Sequence, residues 1–178
     1  MKIIQITTVP ENKILKQLYS LNQDNVPNLG TLSSEAELAK LIEMSHICMY
    51  VLSVDEIIGF AVCFRELSKY HSLNYKFFNE RETKFMYVDR IAIKEGHANS
   101  GLGSNLYKKL YKLSALKLLP ICCEVNTLPV NQISLNFHYK NGFEAVGEYD
   151  FDDHSVAYLK KENHFFLHNF SNFANHFS

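Results

Sequence analysis

The stretch from Phe85 to Asn126 narrows the choice of fold more than any other part of the chain. Residues 85–93 (FMYVDRIAI) are rich in β-branched and aromatic side chains and predict a strand. A glycine-bearing turn follows and ends in Gly101-Leu102-Gly103. From there to about Leu118, the residues Leu102, Leu106, Leu110 and Leu113 recur at helical spacing, with Lys108, Lys109 and Lys112 largely on the other side. Pro120 breaks the helix, and residues 121–126 (ICCEVN) read as the next strand. Strand, helix, strand is a βαβ unit, so the two strands are expected to run parallel with a right-handed crossover. A helix that opens off a glycine turn has N–H groups without internal partners and a partial positive charge, which suits a phosphate or pyrophosphate. A dinucleotide fingerprint would put Gly where Leu106 stands, and no Gly-Lys-Ser/Thr follows, so neither that motif nor a P-loop is present.

The rest of the chain reads as further elements of one domain, and 178 residues are enough to bury a core. Residues 2–9 predict a strand. Pro10 then starts a helix with Ile14, Leu15 and Leu18 on one side. Ser33 or Ser34 is placed to cap a second helix through Leu38, Leu41 and Ile42. Two apolar runs, 46–53 and 57–64, flank Asp55-Glu56 as a β-hairpin. Residues 65–84 read as a long polar and aromatic connection, of a length usually tied to binding. A helix is expected over about 131–141, stopped by Asn141-Gly142, and Phe143–Phe151 with Ser155–Leu159 as a closing antiparallel pair. The expected division is a domain over 1–162 and a Phe/His-rich extension over 163–178. In that extension Phe166, Phe170, Phe173 and Phe177 share one face if the segment is helical, either packing on the core or forming a homodimer contact. His164 and His168 have the spacing of a metal pair but no further ligands, so no metal is expected.

A formal net charge of −1 offers no basic excess for general nucleic-acid binding. No apolar run approaches the ~20 residues of a membrane span, and the first ten residues lack the pattern of a signal peptide. Cys48, Cys63, Cys122 and Cys123 match no zinc spacing and read as buried, reduced thiols of a cytoplasmic protein. Adjacent in a strand, Cys122 and Cys123 must point to opposite faces.

The helix after residue 130 carries a sharper pattern. Asn131, Ser134 and His138 share one face, and Ile133 and Phe137 share another that is expected to meet the core. Alone, the polar stripe reads as a solvated face. With the unit before it, the run from Val88 to Phe143 resembles the acetyl-CoA-binding half of the GCN5-related N-acetyltransferases. The family's Arg/Gln-x-x-Gly-x-Gly/Ala corresponds to Ala98-Asn99-Ser100-Gly101-Leu102-Gly103. Its Asn-x-x-Ala-x-x-Phe-Tyr-x-x-x-Gly-Phe corresponds to Asn131 through Phe143. Tyr70 to Tyr75, Tyr87 to Ile91, Cys123 to Asn126 and Phe137-His138 are similar to segments of a bacterial branch of predicted acetyltransferases. Two positions depart from the pattern: Ala98 replaces the Arg/Gln that touches the pyrophosphate, and His138 replaces the usual Tyr acid.

The resemblance implies an α/β (α+β) GNAT fold. Its sheet would have about six to seven mostly antiparallel strands, a parallel pair at the acetyl-CoA cleft, and helices on both faces. It implies an enzyme that passes acetyl from acetyl-CoA directly to the primary amine of a small-molecule acceptor, without metal, nucleic acid or membrane. The other reading is a weak or inactive acyl-CoA-binding sensor of the same fold. The implied cofactor-binding residues are Ile91, Ala92, Ile93, Asn99, Ser100, Gly101, Leu102, Gly103, Ser104, Asn126, Asn131, Ser134, Phe137 and His138. An amine arrives protonated, its pKa near ~10, so a base is needed. Glu124 and Asp89 are carboxylates within otherwise apolar strands, Glu124 the favoured base, with a salt bridge to Arg90 or a lysine as the competing role. His138 is the third catalytic candidate, as proton donor to the thiolate, against a hydrogen-bonded structural histidine. Tyr70, Ser72, Asn74, Tyr75 and Tyr87 are the acceptor-binding candidates, unless these aromatics merely cap the sheet.

Overall fold

The computed structural model describes residues 1–97, 100–115 and 117–163. Twelve elements follow one another in these residues. They are β1 Lys2–Ile6, α1 Asn12–Gln23, α2 Glu35–Met44, β2 Ile47–Ser53, β3 Glu56–Arg65 and α3 Leu73–Asn79. Then come β4 Met86–Ile93, α4 Leu102–Ala115, β5 Ile121–Leu128, α5 Gln132–Lys140, β6 Glu144–Asp150 and β7 Ser155–Lys161. The seven strands form one sheet in the order β1-β2-β3-β4-β5-β7-β6. Every neighbouring pair is antiparallel except β4 and β5. The expected mixed sheet with one parallel pair is therefore observed, and β7 inserts between β5 and β6.

Helices cover both faces, because the strands alternate apolar side chains to both sides. On one face Leu15, Leu18 and Leu21 of α1, Leu38, Leu41 and Ile42 of α2, and Tyr75 and Phe78 of α3 pack with Phe60, Phe64 and Tyr87 of the sheet. On the other, Leu102, Leu106, Tyr107 and Leu110 of α4 and Leu135 of α5 pack with Met49, Met86, Ile121 and Leu159. Cys122 joins the first cluster and Cys123 the second, as strand alternation requires. All four cysteines are free and buried. Among the described residues, no helix is long and apolar enough to cross a membrane.

Helix starts follow their caps. Ser34 Oγ accepts from the Glu37 N–H, and the Glu37 carboxylate accepts from the Ser33 N–H at 2.6 Å. Asn131 accepts from the Ser134 N–H at 3.1 Å and so begins α5.

Two expectations need correction. The connection 65–84 contains a helix, α3, started by Ser72 Oγ on the Tyr75 N–H. Seven residues rich in aromatics are too few to reveal periodicity, so only the cap announced it. In α5 the buried residues are Leu135 and His138, whereas Ile133 is 80% exposed. The short helix docks on the His138 side, because that side meets α4. The phenylalanine and histidine spacing beyond residue 163 lies outside the described residues.

Gly59 marks a tight place in the sheet. A Cβ there would stand 2.9 Å from Ile93 Cδ1 and 3.2 Å from the Ala92 carbonyl oxygen. Gly59→Ala is expected to destabilise the fold by about 1–3 kcal/mol through overpacking, read as a lower urea midpoint with unchanged slope.

Candidate active site

The parallel pairing of β4 with β5 covers only Met86↔Ile121 and Tyr87↔Cys122. Beyond these pairs the strands separate while each stays bonded to its outer neighbour. A gap therefore opens in an otherwise continuous sheet. Lys94 N–H bonds to the Ile58 carbonyl of β3 at 2.9 Å. By alternation the amides of Ile91 and Ile93 turn the other way, towards the gap, and Ala92 turns to β3.

A bulge controls which side chains reach this gap. The β3–β4 register shifts where Val62 pairs with Arg90 and Cys63 with Val88, leaving Asp89 as the extra residue. Tyr87 and Ala92 thus lie on the same face of the sheet, although strict alternation would oppose them. Asp89 and Arg90, adjacent in sequence, both lie on that face: Tyr70 stands beside Asp89, and Arg90 reaches Asn22 and Gly30.

Glu124 of β5 faces Asp89 across the gap. Tyr87 Oη donates to its Oε2 at 2.6 Å. Tyr158 Oη donates to Asn74 Oδ1 at 3.0 Å, which leaves the Asn74 amide as a donor towards Glu124. Burial raises the Glu124 pKa to about 8, the Asp89 charge adds to this, and the Tyr87 hydrogen bond opposes it. Asp89 is also raised by burial, against the pull of the Arg90 guanidinium. Its side chain is 5% exposed, and its Oδ2 stands 3.2 Å from Arg90 Nε, at ion-pair distance but out of hydrogen-bond alignment. Arg90 Nη1 donates to Asn22 Oδ1 and to the Gly30 carbonyl, both at 2.7 Å, and so ties the α1–α2 connection to the bulge. Asn22 is wholly buried, and its sequence context carries no signal of this link.

The expected acceptor residues divide into two groups. Tyr70, Asn74 and Tyr87 gather around Asp89 and Glu124. Ser72 and Tyr75 serve α3: the first caps it, and the Tyr75 hydroxyl accepts from the Ser68 N–H and donates to the Arg65 carbonyl, each at 2.8 Å.

His138 stands apart from the two carboxylates. It is 3% exposed, packed against Tyr107 and Phe143 on the opposite face of the sheet. Nδ1 donates to the Ser134 carbonyl at 2.7 Å, so Nε2 accepts from Tyr107 Oη at 2.6 Å. Burial lowers its pKa, which keeps the ring neutral. Nδ1 is thus occupied within α5, and Nε2 holds α5 to α4. Asn131 and Ser134 belong to the same local network, and Phe137 is half-buried beside Tyr107. Asn126 donates to the Pro27 carbonyl at 3.2 Å, so β5 as well as β4 is tied to the α1–α2 connection.

Gly101 has φ +80°, which an L side chain rarely adopts, and its carbonyl accepts from the Asn105 N–H at 2.9 Å. The N–H groups of Leu102, Gly103 and Ser104 thus form the open first turn of α4. A Cβ on Gly101 or Gly103 would meet no atom of the described residues within 4 Å. Ser100 is exposed beside it, and Asn99 lies outside the described residues.

Comparison with known proteins gives one consistent answer. Residues 15–143 match the Acetyltransferase (GNAT) family. No curated protein sequence matches. Among solved structures, smu.2055 from Streptococcus mutans UA159 is similar with a TM-score of 0.69 at 15% identity, over 92% of this chain and 99% of that one. An aminoglycoside 6'-N-acetyltransferase complexed with coenzyme A has a TM-score of 0.67 at 15% identity, over 92% and 97%. The ribosomal-protein-S18-alanine N-acetyltransferase from Escherichia coli has a TM-score of 0.61 at 14% identity, over 89% and 94%. At these identities the likeness is one of fold.

The electrostatics make a prediction about stability. The Glu124 pKa in the fold, about 8, lies above its ordinary 4.5, so the fold favours the neutral acid. That contribution is complete below about pH 4.5 and is lost as pH rises through 8. Between about pH 5 and pH 9 the denaturation midpoint of the native protein is expected to fall more than that of Glu124→Gln. Tyr87→Phe removes a bond to the charged form and is expected to move the Glu124 titration higher, read by carboxyl carbon NMR.

Proposed function

The chain belongs to the Acetyltransferase (GNAT) family, and from that premise we propose that it acetylates the primary amine of a small acceptor from acetyl-CoA, with Glu124 as the base. The observation that carries this reading is a carboxyl group of pKa about 8 at the point where β4 and β5 part.

Acetyl-CoA suits the residues present. The open first turn of α4 would hold the pyrophosphate through the N–H groups of Leu102, Gly103 and Ser104. Backbone donors would carry this contact without the Arg/Gln side chain that Ala98 replaces. The gap-facing edge of Ile91–Ile93 would lie along the pantetheine arm. When bound, acetyl-CoA supplies an acetyl group already activated as a thioester.

The chain's own residues do the rest. The Ile91 or Ile93 N–H is placed to receive the thioester oxygen as it gains charge. Glu124 takes the proton of the incoming ammonium. Its raised pKa makes it a stronger base than an ordinary carboxylate, closer to the ~10 of the amine, while a useful fraction is still ionised near neutral pH. Tyr87 and Asn74 hold the carboxylate in place. In the net exchange the amine nitrogen gains the C–N bond, the C–S bond breaks, and the thiol is released. The attacking nitrogen gives up its second proton as the C–S bond breaks, and water relays a proton to the thiolate, whose thiol pKa near ~8.5 makes this easy; His138, with Nε2 on Tyr107 Oη, is not needed for it. The four buried, free cysteines suit a reducing cytoplasm.

Glu124→Gln is expected to lower kcat by about 10²–10⁴-fold and to leave acetyl-CoA affinity unchanged. For the native enzyme, kcat/KM for the amine is expected to climb as pH approaches 8, as the base ionises. Steady-state kinetics beside calorimetric titration check both. Full turnover by Glu124→Gln would remove the carboxylate from the mechanism.

A further inference from the structure

We propose that the acceptor is an amine with no carboxylate on the carbon that bears it, and that Asp89 is the residue that enforces this choice. The inference rests on the reading of this gap as the acetyl-transfer site, and it narrows the acceptor's class.

The charges around the gap carry the argument. Asp89 and Glu124 both face it, one from each separating strand. The Glu124 side chain is met by Tyr87 and Asn74, neither of which is charged. The cation beside Asp89 is Arg90: its Nη1 donates to Asn22 and Gly30, and its Nε stands 3.2 Å from Asp89 Oδ2, at ion-pair distance but out of hydrogen-bond alignment. The Asp89 side chain is 5% exposed, and a carboxylate buried with one poorly aligned cation gains from a second positive group. An ammonium entering the gap supplies that group. The α-carboxylate of a free amino acid would be drawn in with its ammonium and would stand beside the Asp89 charge, joined by that of Glu124 as this group ionises. Repulsion between unit charges several ångströms apart, in the effective dielectric of a protein, amounts to a discrimination on the order of 10²-fold. The sources that meet this description are alkylamines and the terminal amine of a peptide.

The bulge explains why the selection is possible. With strict alternation Asp89 and Arg90 would lie on opposite faces, and the cleft would carry either a carboxylate or a cation. The extra residue in β4 puts both on the cleft face, and Arg90 then serves the α1–α2 connection and leaves Asp89 to face the acceptor.

The test uses matched acceptor series built on alanine, leucine, phenylalanine and lysine. Each contains the free amino acid, its amide, the decarboxylated amine and a tripeptide amide beginning with that residue. The expected result is that carboxylate-free members exceed the free acids in kcat/KM by about 10²-fold. The decarboxylated and tripeptide arms separate an alkylamine acceptor from a peptide one. Asp89→Asn, of the same shape, is expected to narrow the gap between acid and amide by about tenfold or more; a purely structural role would lower both alike. Free amino acids turned over as well as their amides would overturn the inference. So would the absence of turnover with every carboxylate-free amine while acetyl-CoA still binds in calorimetry. Loss of acetyl-CoA binding as well would instead overturn the underlying reading of the site.

Discussion

Two strands that begin as hydrogen-bonded neighbours and then part set the terms for the rest of the molecule. A sheet interior that loses a partner strand exposes backbone amides, and those groups need partners. In this chain β4 and β5 share two residue pairs and then diverge, with β3 and β7 holding their outer edges. The wedge between them is a place inside the sheet where a ligand can complete it. The crossover helix α4 starts beside it, because a right-handed βαβ unit must carry the chain from the end of β4 back to the start of β5. An open helix terminus and an open strand edge thus come from one topological fact.

The second layer is electrostatic. Burial makes Glu124 a weak acid, and Asp89 strengthens the effect because Arg90 favours the Asp89 charge. Arg90 favours the charged form of Asp89 against the effect of burial, and Glu124 is left to exchange protons. Neutral donors, Tyr87 and Asn74, fix the second group without adding charge. The same Arg90 anchors Asn22 and Gly30, so the wall over the acceptor side and the charge at its base share one residue.

Much of this was legible in the residues. The βαβ unit, the capped α2 and the closing hairpin all follow from periodicity and turn chemistry, and the strand carboxylates stood out against apolar neighbours. Three features were not legible. The bulge at Asp89 depends on how β3 and β4 align over several residues, and no local signal specifies it. The α3 helix is too short to show a period, so Ser72 and Tyr75 read as acceptor contacts although they build the helix. His138 sits in a polar stripe at helical spacing, which looks like a ligand face. Only its packing against Tyr107 of α4 shows that the stripe is a cap and a buried hydrogen bond. For the bulge and for His138 the deciding partner lies far away in sequence, whereas α3 is built by near neighbours.

The central claim is that the β4–β5 gap and the first turn of α4 together form the acetyl-CoA site. The most direct test is amide NMR of the full chain during titration with acetyl-CoA. The account predicts saturable shifts at Ile91, Ile93 and Leu102 to Ser104, with small changes at Lys108, Lys109 and Lys112. Shifts confined to the lysine side of α4, or none at all, would contradict it.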